Sequence, residues 1–486
     1  MAKEIELKLA IPSQAADLLK QHRVLQHASS YDSKELRNIY FDTENLDLNR
    51  AKVALRVRKS GNNYIQTLKT SGSGSGGLHK RGEWEWPVSG PELELDKITP
   101  DLWPSPLNAE MLKQALKPVF ETNFSRKTWH LNVSHQDIQA EIELVLDNGI
   151  ATANGQQDPI SEIELELQSG DPDMLFKVAH DLSDEVPLMI SNVSKAQRGF
   201  RLYSPEHAGT RAPRIPPFET YSGLIKAAQI ELDSFIAARD RLAFDRNWLN
   251  LEALHESLLQ LRWCCFHLNR MTTPKRLKAP SYLIYKLRML SFSLEHLVNL
   301  YRQNQSWQRL HNCPEALQKQ ANFTLLNSQY HTITSEAWTG QSLLEVMQWL
   351  YILDKEGDKK AFTHSEDIFQ ALLRCVQLPS HPTDKLFWLR QAAPLLHLIR
   401  WVNYQFPQPG LGIKHLNHEA NQLVDLISEL GGLMSEELSL KSLAEENVLN
   451  DPALMERNQK DQYQKVLELG RIGLSFNSLR QNLLSH

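Results

Sequence analysis

Alternating apolar and charged residues in the N-terminal part of this sequence set the narrowest limit on its fold. In EIELKL, residues 4–9, isoleucine and leucine occupy every second position, and Glu4, Glu6 and Lys8 occupy the others. Because successive side chains of a β-strand point to opposite faces, such a segment has one apolar face and one charged face. The pattern therefore predicts a strand whose charged face lies against water or against a bound molecule.

The charged faces of the later segments are sorted by sign. AEIELVLD and SEIELEL have carboxylates on one face, ALRVR has two arginines, and RGEWEW combines Arg81 with two glutamates. One such strand alone most often has a solvated face. Like charges on alternate residues repel one another, however, and a wet surface gives no reason to collect acids strand by strand. The whole set instead favours a curled sheet whose charged faces surround a polar lumen.

Such a lumen has the composition of a site for a polyphosphate and divalent cations. Mg²⁺ and Mn²⁺ take oxygen ligands, which carboxylates supply. Arginine grips phosphate oxygens with two N–H groups, and lysine adds a point charge. Because phosphoryl transfer depends mainly on positioning and charge neutralisation, the same lumen could be catalytic.

The spacing of apolar residues changes character near residue 204. Before it they recur mostly every second residue, as in strands, with helical patterns only at 13–22 and 172–184. The proline-rich segment SPEHAGTRAPRIPPF predicts a linker. After it, apolar residues recur every three or four positions, as in a helical bundle. We therefore predict a mainly antiparallel sheet or barrel domain over 1–203, a linker over 204–218 and an all-helical domain over 219–486.

Length, charge and cysteine spacing narrow the class of protein. A chain of 486 residues is too long for one ordinary core, so two or more domains are expected. A net charge of −5 gives no electrostatic basis for binding nucleic acid or an anionic membrane. The four cysteines lack C-x-x-C spacing, and no signal peptide or membrane span is expected. We predict a reduced, cytoplasmic protein; a monomer is favoured, with the oligomeric state left open.

The order of several short motifs resembles the CYTH superfamily, also called the triphosphate tunnel metalloenzymes. EIELK has the E-x-E-x-K form of that family. The later motifs follow in the family's order over residues 3–202: LRVR, TLK, GGLHKRGEWE, SRKTW, IELVLDNG, SEIELELQSGD and SKAQRGFRL. The first motif alone is weak, and the ordered set is specific. The resemblance implies an α+β chain whose N-terminal domain is an eight-stranded antiparallel β-barrel, a tunnel that hydrolyses or rearranges a triphosphate with Mg²⁺ or Mn²⁺.

The resemblance also implies roles for individual side chains. The implied catalytic set is Glu4, Glu6, Lys8 and Glu83. The implied substrate ligands are Lys8, Arg56, Arg58, Lys69, Arg81, Arg126, Lys195 and Arg198. The implied metal ligands are Glu4, Glu6, Glu83, Glu85, Glu143, Asp147, Glu164 and Glu166. Glu141 and Glu162 share the inward parity, and Arg198 could instead close the tunnel end by a salt bridge.

One position departs from the family pattern. Several small members have a lysine two residues before the arginine that matches Arg126, and that lysine is assigned to activating the attacking water. Phe124 stands there in this chain. The departure implies that a metal or a carboxylate activates the water, or that the water is merely positioned.

Residues 219–486 resemble a CHAD domain, a helical module often fused to CYTH. A typical CHAD domain binds polyphosphate through helices rich in histidine and arginine. Here LHESLLQLRWCC keeps His255 and Arg262 but lacks the dense basic run. Further basic residues follow at Lys275, Arg276, Lys278, Lys286 and Arg288. A polyphosphate-binding domain and a helical scaffold with scattered surface charge both fit this pattern.

Three functions fit the whole sequence. The long bacterial CYTH–CHAD proteins that it resembles act on inorganic triphosphate, which implies hydrolysis of triphosphate to diphosphate and phosphate. A second hypothesis is a triphosphatase or cyclase for an organic triphosphate, such as ATP or thiamine triphosphate, which needs an open apolar end for the base. A third is a non-enzymatic polyphosphate-binding protein. The presence of all the matched acids favours an enzyme.

Overall fold

The computed structural model describes most of the chain in two compact units. The described residues are 3–70, 73–75, 78–103, 107–135, 138–205, 221–272, 277–309, 315–356, 365–379, 381, 383–406, 408–447 and 449–485. The first unit comprises residues 1–212, 243–246 and 334–348, and the second comprises 213–242, 247–333 and 349–486. Residues 206–218 of the predicted linker lie outside the described residues. The predicted division at 203 and 219 therefore stays a prediction.

The first unit is built on an antiparallel sheet. Its strands, in the part of the chain that the structure describes, are β1 (Lys3–Ala10), β2 (Ala28–Asp42), β3 (Val53–Ser60), β4 (Asn63–Thr70), β5 (Ser73–Ser75), β6 (Leu78–Val88), β7 (Lys117–His135), β8 (Ile138–Ala153), β9 (Gln156–Gly170) and β10 (Met189–Ile190). Their order is β10-β1-β9-β8-β7-β2-β3-β4-β6-β5. The predicted N-terminal antiparallel domain is confirmed.

The first strand joins the two ends of this series. β1 pairs with β9 along Glu6–Ala10, and it also pairs with β6 along Lys3–Leu7. The series from β1 through β9, β8, β7, β2, β3 and β4 to β6 thus returns to its first strand. One face of these strands therefore lines a tunnel-like lumen, as the alternation of charges predicts.

The apolar faces of the strands point away from this lumen and are covered by short helices. These are α1 (Ala16–Gln21), α2 (Asp47–Arg50), α3 (Ala109–Leu112) and α4 (Asp173–Ser183). A fifth helix, α5 (Lys195–Tyr203), packs instead on the strand face that carries Tyr40 and Phe124. α4 packs on β8 and β9, with Leu175 and Phe176 fully buried. Leu55 and Leu68 of β3 and β4 join another apolar cluster with Trp103. Burial of apolar area on this side leaves the charged side chains on the lumen face.

α5 packs against the strands beside a second apolar cluster. Its start is set by Ser194, whose hydroxyl accepts from the Gln197 backbone N–H at 3.1 Å while the Gln197 side chain accepts from the Ser194 N–H. Gly199 lies so close to Phe120 that a Cβ would stand 1.9 Å from the ring. We call the residues that pack here the α5 cluster: Leu36, Tyr40, Val119, Phe120, Phe124, Ala151, Ala153, Ile160 and Leu202, with Phe200 and Phe244 against them.

The second unit is helical in its described residues. The helices of this part of the chain are α6 (Tyr221–Asp245), α7 (Asn250–Met271), α8 (Ser281–Arg309), α9 (Glu315–Ser335), α10 (Ala337–Glu356), α11 (Ser365–Cys375), α12 (Lys385–Arg390), α13 (Ala392–Gln405), α14 (Leu411–Glu445) and α15 (Pro452–Leu484). Leucines at three- and four-residue spacing, such as Leu254, Leu258 and Leu261, are buried. The predicted helical region is confirmed. Among the described residues, no helix combines the length and apolar character that a membrane span needs.

Candidate active site

The strand pairing collects acidic side chains at one part of the lumen. In the β1–β9 ladder Glu6 stands opposite Glu166, and Lys8 stands opposite Glu164. Carboxylate oxygens of Glu6, Glu164 and Glu166 lie within 4.8 Å of one another. The structure thus brings together three of the predicted metal ligands. Their all-oxygen donor set fits a hard divalent cation such as Mg²⁺ or Mn²⁺.

A second group of acids surrounds the ammonium of Lys195. This lysine is the first residue of α5, so the helix start directs it into the lumen. Its Nζ has three carboxylate partners: Asp147 at 2.6 Å, Glu162 at 2.6 Å and Glu164 at 3.0 Å. Asp147 and Glu162 are fully buried. The inward parity of Glu162 is therefore confirmed.

Two further cations share the same acids. Lys8 donates to Glu162 at 3.2 Å and also to Glu164. Arg126 forks onto Asp147 with N···O distances of 2.9 and 2.7 Å, and its Nη2 also donates to Glu164 at 2.9 Å. Three cations, counting Lys195, thus face three carboxylates, which compensates the desolvation cost of burying them.

Neighbouring opposite charges keep Glu162 and Glu164 ionised and keep Lys8 and Lys195 protonated. Burial alone would raise the pKa of Glu164, but Lys195, Lys8 and Arg126 hold that pKa well below its usual range. The pKa of Glu162 falls to about 2, because Lys195 and Lys8 outweigh its burial. Burial lowers the pKa of Lys8, yet Glu162 and Glu164 raise it above its usual value. The pKa of Lys195 is raised in the same way, so both lysines keep their protons at neutral pH.

Phe124 provides an apolar floor beneath these cations. Its ring belongs to the α5 cluster and is buried. Lys195 Nζ lies 5.1 Å from the ring centroid, and the Arg126 guanidinium carbon lies 5.8 Å from it. The ring attracts both cations through its negative face. The position at which small family members place a lysine is therefore a packing surface here.

A third group contains the remaining arginines and lysine of the lumen. Glu83 Oε2 lies 2.6 Å from Lys69, and Glu83 Oε1 lies 3.5 Å from Arg56. Arg56 also donates to the hydroxyl of Tyr40 at 3.3 Å. Arg58 donates from Nε to Asn38 Oδ1 at 3.1 Å. Glu83, predicted as a catalytic and metal-binding acid, is thus brought together with cations.

Arg198 occupies an intermediate position on α5. One guanidinium nitrogen lies 3.5 Å from Asp158, and the other lies 3.5 Å from Glu162. The first contact supports the alternative in which this arginine makes a salt bridge. The second keeps it beside the buried acids.

Other predicted acids lie at the margins of these groups, and Glu143 stands opposite Glu166 in the β8–β9 ladder. Glu85 is exposed and accepts from Thr67 at 3.2 Å, and Glu143 lies 3.7 Å from the ring nitrogen of His130. Glu141, expected to point inward, is exposed; it lies near the start of β8, where the pairing with β9 shifts register. The side chains of Glu4 and Arg81 lie outside the described residues; their backbones pair across β1 and β6.

The predicted site omits the polar residues that hold the arginines. Asn38 and Tyr40 lie on β2, opposite Arg58 and Arg56 respectively. Their two-residue spacing in RNIYFDT could have indicated lumen-facing side chains. Asparagine is unusual inside a strand, which was a second available signal.

The N-terminal part of the chain is similar to known proteins. Residues 2–200 match the CYTH domain. The curated inorganic triphosphatase of Haemophilus influenzae is 35% identical over 208 residues, which cover 42% of this chain and 56% of that protein. The chain thus spans little more than half the length of this relative. The CHAD resemblance of residues 219–486 stays a prediction.

Solved structures of similar proteins match the same part of the chain. One is a Hippeastrum protein described as an adenylyl cyclase candidate with a dominant triphosphatase activity; it is 19% identical, with coverage of 42% of this chain and 96% of that chain and a TM-score of 0.29. Another is an adenylate cyclase candidate from Bacillus halodurans, 24% identical, with coverage of 41% and 100% and a TM-score of 0.26. On the family match, the N-terminal part of this chain, residues 2–200, is a CYTH domain.

Proposed function

We propose that this protein hydrolyses inorganic triphosphate to diphosphate and phosphate in the lumen of its CYTH domain. The supporting observation is that the Glu6, Glu164 and Glu166 carboxylates adjoin buried lysine and arginine side chains. The acids offer oxygen donors for a cation, and the basic groups offer N–H donors for phosphate. The similarity to an inorganic triphosphatase supports this choice of substrate.

Glu6, Glu164 and Glu166 would hold a divalent cation, Mg²⁺ or Mn²⁺. When bound, the cation supplies neutralising charge for the phosphate oxygens. The further metal ligands proposed from the family resemblance are Glu4, Glu83, Glu85, Glu143 and Asp147. Of these, Asp147 lies nearest the Lys195 network, at 2.6 Å from its ammonium.

Binding of triphosphate would exchange the partners of the lumen cations. Lys8, Arg126 and Lys195 now donate to carboxylates, and phosphate oxygens would accept the same hydrogen bonds. Because these donors are already ordered and buried, little side-chain entropy is lost when the substrate binds. Placement of donors around the phosphoryl oxygens is the main catalytic contribution expected of a protein in this reaction.

The raised pKa values of Lys8 and Lys195 bear on how the attacking water is activated. Both lysines are protonated at neutral pH, so neither accepts a proton from water in this state. Phe124 has no group that could do so. We therefore propose that a lumen carboxylate or the bound cation takes this role, or that the water is positioned without a base.

The two alternative functions, action on an organic triphosphate and polyphosphate binding without catalysis, make different demands on the lumen. An organic triphosphate requires an apolar surface for its base, and the described aromatic residues Tyr40, Phe120 and Phe124 are buried in the α5 cluster. A polyphosphate-binding protein without catalysis would still use the cations but would not need the grouped acids. Both observations favour the inorganic triphosphatase.

The helical domain is proposed to bind polyphosphate. Arg262 donates to Ser291 at 2.7 Å, and its pKa is lowered by burial and by the nearby Arg288. Such partly desolvated arginines attract anions. Lys275 and Arg276 lie outside the described residues. We also propose a monomeric, cytoplasmic protein, with no nucleic acid or membrane partner; the buried free thiols Cys264 and Cys265 fit a reducing compartment.

A phosphate-release assay tests the proposal directly. Triphosphate, ATP, thiamine triphosphate and long polyphosphate are compared side by side with Mg²⁺ or Mn²⁺ and with a chelator. We expect triphosphate to be the best substrate and the chelator to abolish release. Faster release from ATP or thiamine triphosphate would show that the substrate is an organic triphosphate. Release that is undiminished in chelator would show that hydrolysis does not need a divalent cation.

A further inference from the structure

Arg58 differs from the other described cations of the lumen in its partner. Each of the others has a carboxylate within 4.0 Å: Lys8, Arg56, Lys69, Arg126, Lys195 and Arg198. Within the described residues, the hydrogen-bond partner of Arg58 is the neutral amide of Asn38, at 3.1 Å. The charge of this arginine is therefore not matched by an adjoining acid.

The surroundings of Arg58 make this charge more costly. Burial, followed by the neighbouring cations Arg56 and Arg126, lowers the pKa of Arg58 to about 10, although Glu85 acts in the opposite direction. The group nevertheless stays charged at neutral pH. A half-buried, charged guanidinium beside other cations is stabilised when an anion arrives.

Asn38 is held so that its oxygen faces Arg58. It is fully buried and stands between Arg58 on β3 and Thr122 on β7 in the two ladders. Its Nδ2 donates to the backbone oxygen of Thr122 at 3.3 Å, which fixes the orientation of the amide. The Oδ1 then accepts from the Arg58 Nε, so the Nη side of the guanidinium is not used by Asn38.

Within the part of the chain that the structure describes, two buried polar atoms near this pair have no hydrogen-bond partner. They are the Thr122 hydroxyl and the Arg56 Nε. Buried polar atoms without partners are rare in folded proteins and call for an explanation. Thr122 is opposite Asn38, and Arg56 is two residues from Arg58 on the same strand face. With the Nη groups of Arg58, they form a set of donors that an oxyanion could satisfy.

We propose that Asn38 is a positioning residue that holds Arg58 in place while leaving its charge available to a phosphoryl oxygen of the substrate. This inference rests on the proposed function and names the donors, Arg58, Arg56 and Thr122, that receive one phosphoryl group. An aspartate would have the same shape and would still accept from Arg58, but it would neutralise the charge and could not donate to the Thr122 backbone oxygen. The neutral amide is therefore the part of the arrangement that favours anion binding.

The test measures binding of the triphosphate anion by isothermal titration calorimetry in the presence of a chelator, so that turnover does not interfere. We expect Asn38→Asp to lower the affinity roughly tenfold or more, the loss of one charge-assisted contact. The matched control is Asn62→Asp, the same charge change at an exposed turn. It should bind as the unaltered protein does.

A double-mutant cycle separates positioning from a merely structural role. If Asn38 acts through Arg58, the effect of Asn38→Asp on affinity should largely disappear in an Arg58→Gln background. Additive losses, or an Asn38→Asp protein that binds triphosphate normally, would overturn the proposal. If the aspartate variant does not fold by circular dichroism, Asn38→Ser replaces it. The shorter side chain leaves Arg58 unheld, so the same cycle applies with the same expected and contrary outcomes.

The outcomes also distinguish this inference from the proposed hydrolysis. Binding that depends on Asn38 without phosphate release would leave the inference standing and remove the hydrolytic function. Hydrolysis by a protein whose triphosphate binding does not depend on Asn38 would remove the inference and leave the hydrolytic function standing. If the unaltered protein neither binds triphosphate in chelator nor releases phosphate from it with Mg²⁺ or Mn²⁺, both are wrong.

Discussion

Glu6 lies in the most acidic part of the lumen, where its carboxylate approaches Glu164 and Glu166. We expect Glu6→Gln to reduce phosphate release roughly 10²-fold or more, because the change keeps the shape but removes a charge from the proposed cation site. The melting temperature without ligand should not fall, since one of several neighbouring like charges is lost. Phosphate-release assays and thermal melts measure the two effects.

The matched control for this change is Glu44→Gln. The Glu44 side chain is 86% exposed, and its nearest cation, Lys117, is 3.9 Å away. Surface substitutions of this kind change stability by about 0.5 kcal/mol or less, and no effect on release is expected. Near-normal release from the Glu6 variant would mean that the charged face of β1 is only a solvated surface.

At this scale the sequence predicted which residues face the lumen better than it predicted their partners. Strand parity is a local property, so the inward positions of Lys8, Glu164 and Arg58 followed from alternation, whereas that of Arg126 was implied by the family resemblance. The contact of Lys195 with Asp147 did not, because Lys195 reaches the lumen from a helix that packs from elsewhere in the chain. Glu141 keeps the parity of Glu143 but is exposed near the start of β8, where the pairing with β9 shifts register.

The close packing of α5 can be tested by adding one methyl group at Gly199. Gly199 leaves no room for a Cβ against Phe120, whose ring also stacks on Tyr40 at 4.5 Å and meets Phe200 at 4.9 Å. We expect Gly199→Ala to destabilise the first unit by about 1–3 kcal/mol, the usual cost of overpacking. The displaced helix should also move Lys195 and reduce phosphate release. Chemical denaturation and the release assay give both values.

Gly432→Ala is the control for the same substitution within a helix. Gly432 lies in α14, and a Cβ there would meet nothing within 4 Å. Alanine should be neutral or stabilising by up to about 1 kcal/mol, because it restricts the unfolded chain and favours helix. Equal behaviour of the two glycine variants would contradict the packing argument for α5.

Long elements were predicted from the sequence, and short ones were not. The period-two and helical patterns indicated strands such as β8 and β9 and helices such as α4, because several turns or alternations repeat the signal. β5, β10, α2 and α3 have at most four residues each, too few for a periodic pattern. The hydrogen bonding of β1 to β6 is non-local, and only the family resemblance implied it.

Over the whole molecule, pH acts in opposite directions on the two units. In the second unit, Glu231 of α6 is buried, one of its oxygens lies 2.8 Å from Arg400, and the other has no hydrogen-bond partner. Burial raises the pKa of Glu231 to about 7, Arg400 opposes the rise, and Glu256 adds to it. A carboxyl whose folded pKa is raised above about 4.5 favours the folded state less as pH increases through that range.

We therefore expect Glu231→Gln to raise the melting temperature relative to the unaltered protein more at pH 8 than at pH 5. Glutamine resembles the protonated acid, so the variant avoids the cost of ionisation at high pH. Arg400 keeps a partner, since Glu256 lies 3.2 Å from it. Differential scanning calorimetry at the two pH values measures this, with Glu44→Gln, a change at an 86% exposed side chain, as the control. A larger increase in melting temperature at pH 5 than at pH 8 would contradict the raised pKa of Glu231.

In the lumen, Glu162 changes the pH dependence of folding stability in the direction opposite to Glu231. The pKa of Glu162 is lowered to about 2 because Lys195 and Lys8 outweigh its burial. Its stabilising contribution is therefore complete above the usual carboxyl pKa of about 4.5 and is lost as pH falls from there towards 2. The first unit should accordingly be the more sensitive of the two to acid.

A fragment of residues 1–203 should fold, bind triphosphate and keep most phosphate release, because it contains every lumen residue described above. It lacks 243–246 and 334–348, which belong to the first compact unit. Phe244 packs on Arg201 at 4.0 Å, and Gln341 donates to the backbone oxygen of Ser183 at 2.9 Å. We therefore expect a lower melting temperature than in the full chain. A fragment that is folded by circular dichroism but does not bind triphosphate would contradict the prediction.

The presence of residues 334–348 in the first unit has a consequence for the time at which that unit is completed in a cell. A ribosome that has finished residue 203 must still add roughly 145 residues before the segment ends. At roughly 5–20 residues per second, this takes roughly 7–30 s, which is long compared with the folding time of most small domains. The nascent CYTH domain must therefore persist for many seconds with the surface around Ser183 uncovered, and during that interval it is available to chaperones and proteases.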